Sequence, residues 1–133
     1  MDFIKPRPRA RQVYGVTERV ETGCGHLYVT VNRDSDGRIC EIFSSLGKAG
    51  CCPQAQLEGL CRTLSLSLRC DVDPEILFKH IRGIKCPSSV WFDGKQILSC
   101  ADAIGFVLEK RFKEYLAGII VNTEKSDVGN SKS

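Results

Sequence analysis

The chain holds little that would anchor it in a membrane or export it. No run of 18 apolar residues exists, so no transmembrane helix is expected. The start, Met1-Asp2-Phe3-Ile4-Lys5-Pro6, lacks the continuous apolar stretch of a secretory signal. A cytoplasmic location is therefore expected. There is no internal repeat and no C-x-x-C pair. Gly47-Lys48-Ala49-Gly50 is not followed by the Gly-Lys-Ser/Thr of a phosphate-binding loop. Neither His26 nor His80 stands with a Ser or Cys in a triad-like motif. What remains is a length of 133 residues, 42% apolar and 26% charged. That suits one compact domain with an ordinary surface.

Cysteine is the exception to this plainness. Eight Cys occur in the chain, although nothing in it points to an oxidising compartment. Cysteine-rich chains without an export signal more often bind metal or carry redox chemistry than form disulfide scaffolds. A core of this size has no need of staples. Some of the eight are expected to be small buried hydrophobes.

Charge is unevenly placed. The formal net charge is +3, and Lys5, Arg7, Arg9 and Arg11 against Asp2 account for all of it. The prolines of Lys5-Pro6-Arg7-Pro8-Arg9-Ala10-Arg11 exclude a helix, so residues 1–12 read as an extended basic arm. Such an arm could touch phosphates. With no basic, aromatic-lined face behind it, a solvated linker is the plainer reading.

From Thr22 to Ser44 the pattern alternates: Leu27, Val29 and Val31, a turn at Asp34-Ser35-Asp36-Gly37, then Ile39 to Phe43. This predicts a β-hairpin. Val13, Val16 and Val20 suggest an edge strand over 11–20. After Gly47 and Gly50, Pro53 suits a first helical turn. Leu57, Leu60, Cys61, Leu64 and Leu68 then form one helical stripe, ending near Arg69. Asp73-Pro74 opens a second helix, with Leu77, Ile81 and Ile84 as its expected buried stripe and Gly83 at its end. Asp93-Gly94 marks a turn. Ser99-Cys100-Ala101-Asp102 has the capping form that starts a third helix. Ala103, Ile104, Val107, Leu108, Phe112, Tyr115 and Leu116 are its expected apolar face, and Lys110, Arg111 and Lys113 suit its C-terminal half. Asn122 to Ser133 is polar. The expected fold is α+β: a small antiparallel, hairpin-based sheet with three helices against one face. Its parts are the arm at 1–12, a domain at 13–118 and a flexible tail at 119–133.

Placement separates the cysteines. Cys61 falls on a buried stripe, Cys40 in mid-strand and Cys70 at a helix end. Cys24, Cys52, Cys86 and Cys100 lie in loops or at helix termini, where side chains can point to a common centre. Cys52 and Cys100 sit at positive helix ends, which favour the thiolate. Four thiolates complete a tetrahedral set for Zn²⁺, or for an iron–sulfur cluster. Disulfides or buried thiols remain alternatives on residue placement alone.

Several blocks resemble a known family. Thr22-Gly23-Cys24-Gly25-His26-Leu27-Tyr28-Val29-Thr30-Val31-Asn32 resembles the start of the TSCPD domain. So do Gly47-Lys48-Ala49-Gly50-Cys51-Cys52, Gly83-Ile84-Lys85-Cys86-Pro87 and Ser99-Cys100-Ala101-Asp102-Ala103-Ile104. That domain lies at the C-terminus of adenosylcobalamin-dependent (class II) ribonucleotide reductases, and also occurs in small stand-alone proteins. The resemblance implies four recurring cysteines, on Cys24, Cys52, Cys86 and Cys100, and leaves Cys51 as a bystander. Ala101 replaces the Pro of the motif that gives the family its name. The chain is too short for a reductase barrel, and no Cys follows Cys100 to act as a swinging arm. It is therefore not expected to reduce nucleotides by itself. A Cys before a hairpin and a Gly-Cys opening a helix are also similar, at the level of architecture, to the NifU/IscU iron–sulfur scaffold domain.

The remaining motifs have plain readings. His26 adjoins Cys24 but reads as a surface histidine, and His80 as solvated. Asp34/Asp36 lack the bidentate Glu of a calcium loop and read as a turn. Asp102 reads as a helix cap. Vicinal Cys51-Cys52 would close a strained ring if oxidised. The expected function is a structural zinc (Cys₄) accessory domain, non-catalytic alone. It would dock to a ribonucleotide reductase, a nucleotide or a nucleic acid, with a place in DNA synthesis. The alternatives are an iron–sulfur scaffold or electron carrier on the same cysteines, and a nucleic-acid-binding zinc module using the arm.

Overall fold

The structure is a computed structural model that describes residues 1–47 and 52–118, together with the backbone but not the side chain of Cys52. The expected tail at 119–133 and the Lys48–Cys51 part of the glycine-rich block lie outside the described residues. Three strands form an antiparallel sheet in the order β1 (Tyr14–Thr22), β2 (Gly25–Arg33), β3 (Ile39–Leu46). The chain then forms α1 (Cys52–Arg69), α2 (Pro74–Ile81), a small hairpin of β4 (Val90–Phe92) and β5 (Lys95–Ile97), and α3 (Cys100–Leu116). The α+β expectation holds. The hairpin is β2–β3, and the edge strand runs two residues further than its valines suggest.

Alternation decides which sheet face is covered. Val20, Leu27, Val29, Val31, Ile42 and Leu46 share one face and are buried beneath α1 and α3 with Leu64, Leu68, Ile104, Val107 and Leu108. Each such side chain contributes about 1.5–3 kcal/mol on leaving water. The other face carries Tyr28 and Phe43, 40% and 46% exposed. Of the three helices, α2 packs chiefly on α3 rather than on the sheet. Gly105 makes this possible, since a methyl there would approach Ile81 Cγ1 and Arg82 Cδ to 2.9 Å. The buried residues of α2 are Phe78 and Ile81, whereas Ile84 lies beyond the helix end and is 47% exposed. The expected Leu77/Ile81/Ile84 stripe is corrected accordingly: the helix stops at Ile81, before Ile84 can join its face.

The free edge of β3 is closed by α1. Ser65 Oγ accepts from the Ile42 amide and donates to its carbonyl, both at 3.0 Å, and Gln54 Oε1 accepts from the Leu46 amide at 2.8 Å. This removes the edge as a template for strand addition. Asp34 makes the expected turn, with Oδ1 accepting from the amides of Asp36 and Arg38. A buried charge network missing from the pattern joins sheet to helix: Glu18 on β1 receives Arg111 at 2.8 Å and Lys110 at 2.9 Å. Arg111 reaches back over the sheet, so its side chain is only 7% exposed. The expected apolar face of α3 is corrected at its end: Tyr115 and Leu116 are exposed, because the helix runs past the core there.

The arm is also more ordered than a solvated linker. Arg7 is bound through its amide to the Arg69 carbonyl at 2.8 Å and through its guanidinium to Asp34 and Asp71. Arg9 pairs with both oxygens of Glu41. No helix among the described residues is long and apolar enough to cross a membrane.

Candidate metal centre

The antiparallel connections bring the starts of β2, α1 and α3, and the exit from α2, to one end of the domain. The predicted cysteines are distributed over those positions. Cys24 lies in the two-residue Gly23-Cys24 turn between the paired Thr22 and Gly25, and is exposed. Cys52 opens α1. Cys86 follows α2, with its amide donating to the Leu98 carbonyl at 3.0 Å. Cys100 is the first residue of α3.

Thr22 organises the turn. Its Oγ1 donates to the Gly25 carbonyl at 2.8 Å and accepts from the Cys24 amide at 3.1 Å. The Cys100 thiol donates to the same oxygen at 3.5 Å. Gly23 lets the next loop close down: a methyl there would lie 1.7 Å from the Ser88 carbonyl oxygen. The Cys86–Ser88 loop therefore rests on the Cys24 turn, an approach only glycine permits.

Asp102 holds the other half together. Its Oδ1 accepts from Arg82 Nε at 2.9 Å and the Gly83 amide at 2.8 Å, and Oδ2 accepts from the Leu98 amide at 2.9 Å. Burial acts to raise its pKa. The Leu98 and Gly83 amides and the Arg82 guanidinium outweigh that and hold the carboxyl below its ordinary value. Ser99 caps α3 by accepting from the Asp102 amide at 3.0 Å, and donates to the Ile84 carbonyl at 2.6 Å. The loop bearing Cys86 is thus laced to the helix start bearing Cys100. Asp102 is more than a helix cap; it joins the exit of α2 to the entry of α3.

The Cys100 thiol lies within electrostatic reach of Cys24 and Cys86. Burial first, then the sulfurs of Cys24 and Cys86, push the Cys100 pKa up, against the lowering effect of Thr22. This reverses the expectation that the helix end would depress it: a thiolate there is desolvated and faces neighbouring sulfurs. Among the described residues no group of three or more His, Cys, Asp or Glu is arranged to hold a metal ion. Cys100 thus has Cys24 and Cys86 within reach, without the three forming a ligand set, and the side chain of Cys52 is outside the described residues. The donor chemistry fits a soft, thiolate-binding metal, and a cation would offset the burial and neighbouring sulfurs that raise Cys100.

The other cysteines lie elsewhere. Cys40 and Cys61 are buried. Burial, then Glu41 and Asp34, push the Cys40 thiol up to about 11. Cys61 is raised by burial and donates to Ser44 Oγ at 3.3 Å. His26 is exposed, with Nδ1 2.8 Å from Glu21 Oε2, and His80 is exposed. Sequence reasoning missed Thr22 and Gly23 as organisers; their position beside Cys24 was the available signal.

A family model, the TSCPD domain, matches residues 4–112. The chain belongs to the TSCPD domain family, a family associated with ribonucleotide reductases. Neither a curated protein nor a solved structure matches it. The matched span takes in Thr22–Gly25, Gly83–Ser88 and Ser99–Asp102, so the hydrogen bonds that gather Cys24, Cys86 and Cys100 all lie within this TSCPD domain.

Proposed function

We propose that this TSCPD domain is a metal-stabilised accessory module in which Cys24, Cys52, Cys86 and Cys100 hold one structural Zn²⁺. The observation that carries the reading is that the Cys24 amide and the Cys100 thiol meet on Thr22 Oγ1, at the end of the fold where the loop bearing Cys86 closes against Gly23. Four thiolates would leave no position open for hydrolytic chemistry, so the metal would tie the β1–β2 turn to the helix starts. The domain would act by docking, with a ribonucleotide reductase as the partner that the family association favours. Nucleic acid is the weaker candidate, because Arg7 and Arg9 of the basic arm are engaged by carboxylates.

Metal analysis of anaerobically purified protein tests the centre. One zinc per chain is expected, with its loss on replacing any of the four by Ser, and with less cooperative unfolding. A quadruple Ser variant that stays fully folded and unfolds as cooperatively as the unaltered protein, without metal, would overturn the reading. Brown protein carrying iron would reassign the same thiolates to an iron–sulfur cluster.

A further inference from the structure

The basic arm lies in a slot at the end of the domain opposite Cys24, Cys86 and Cys100. Two of its four cations point in. Arg7 Nη1 is 3.2 Å from Asp34 Oδ2, and Arg7 Nε is 3.1 Å from Asp71 Oδ1. Arg9 Nε and Nη2 take the two oxygens of Glu41 at 2.8 and 3.2 Å. The backbone is held as well: the Arg7 amide donates to the Arg69 carbonyl at 2.8 Å, and Arg69 Nε returns to the Arg7 carbonyl at 3.2 Å. Pro6 and Pro8 keep the segment extended and remove its neighbouring amides, so the slot reads one backbone position and two guanidinium groups.

The two sides of this contact are built differently. On the slot side, the Glu41 and Asp34 side chains are 2% and 7% exposed. Buried carboxylates are costly unless a cation and further donors satisfy them. Asp34 has the Asp36 and Arg38 amides, and Arg38 Nη1 lies 3.4 Å from Asp71 Oδ1, whereas Glu41 takes its guanidinium from the arm and one further bond from Asn32 Nδ2. On the arm side, Arg9 is 58% exposed, and Phe3 and Ile4 are 79% and 80% exposed. The arm is therefore retained by ion pairs and the two Arg7 backbone hydrogen bonds rather than by apolar burial. Such an attachment weakens in salt and yields to a competitor.

We propose that the slot of Asp34, Glu41 and Asp71 is a recognition site for extended polypeptide carrying arginines two residues apart, kept closed in cis by the chain's own Arg7-Pro8-Arg9. The ligand class is a basic segment of a partner protein that presents the same Arg-x-Arg spacing. Binding such a segment expels the arm and frees its cations and its apolar Phe3-Ile4 end. This site is independent of the cysteine centre.

The test uses the full chain and a fluorescent peptide of residues 5–11, followed by anisotropy at low salt. Arg9→Ala loosens the resident arm, so that variant should bind the peptide at least tenfold more tightly than the unaltered chain. Adding Glu41→Gln should reverse the gain, and 0.5 M salt should remove binding. A peptide with Lys for both inward arginines should bind at least tenfold more weakly, because lysine cannot make the paired contact with Glu41. Equal affinity of the Arg9→Ala variant and the unaltered chain would overturn the proposal, as would binding indifferent to Glu41. If Glu41→Gln does not fold, Asp71→Asn, at a side chain 58% exposed, takes its place.

Discussion

The two ends of this domain are held by different chemistry. At one end, Cys24 and Cys100 meet on Thr22, and the loop bearing Cys86 is tied to the start of α3 through Asp102, which accepts from two backbone amides and one guanidinium, that of Arg82. At the other, Arg7, Arg9, Asp34, Glu41 and Asp71 form a charge cluster around the turn between β2 and β3 and the exit of α1. Soft thiol donors at exposed and half-buried positions are the kind a metal could bridge. Arginines reaching buried carboxylates from a largely exposed arm make an ionic contact that salt can weaken. On the two proposals above, the first end would be fixed and the second would open.

The sharpest test of that division is Asp102→Ala. It leaves the amides of Gly83 and Leu98, and Arg82, without their common acceptor. A loss of about 3 kcal/mol is expected in chemical denaturation, because an ion pair with a buried member is broken from one side. Metal content should fall with it, since the Cys86 loop is released from Cys100. Full zinc retention would show that the cysteine end does not depend on this carboxylate.

Gly23→Ala should have a smaller, more local effect. The added methyl must push the Ser88 backbone away, at about 1–3 kcal/mol. Hydrogen exchange should rise in the 22–25 and 86–88 loops while the arm stays protected. Loosening of both ends together would break the proposed independence.

The smallest effect separates the thiols themselves. With its pKa pushed up to about 11, Cys40 carries roughly a thousandth of its thiol as thiolate at pH 8. In metal-stripped protein, alkylation followed by mass spectrometry should label exposed Cys24 first and Cys40 last. Cys40 labelling as fast as Cys24 would mean that the charged end opens far more readily than its buried carboxylates suggest.

Much of the scaffold was legible in order. The Leu57–Leu68 stripe, the Ser99 cap and the Asp93-Gly94 turn are local patterns whose physics acts within a few residues, and each appears where those patterns place it. The failures are tertiary. Ile84 keeps helical spacing with Ile81, yet the helix stops because Gly83 and Arg82 are drawn to Asp102. Arg111 looks like a surface charge until β1 brings Glu18 beneath it. The arm looks like a solvated linker because its partners, Asp34, Glu41 and Arg69, lie 27 to 62 residues away along the chain.

The same division applies to the cysteines. By itself the sequence determined that Cys61 faces a core, that four others occupy turns and helix starts, and, through its motif blocks, which family the chain belongs to. Only the tertiary structure decided that Cys24, Cys86 and Cys100 share one end of the domain and that Cys40 lies by the charges. In an antiparallel β1-β2-β3 sheet followed by returning helices, every odd connection falls at one end and every even connection at the other. Residue spacing along the chain cannot show which ends coincide until the strands pair and the helices close on them.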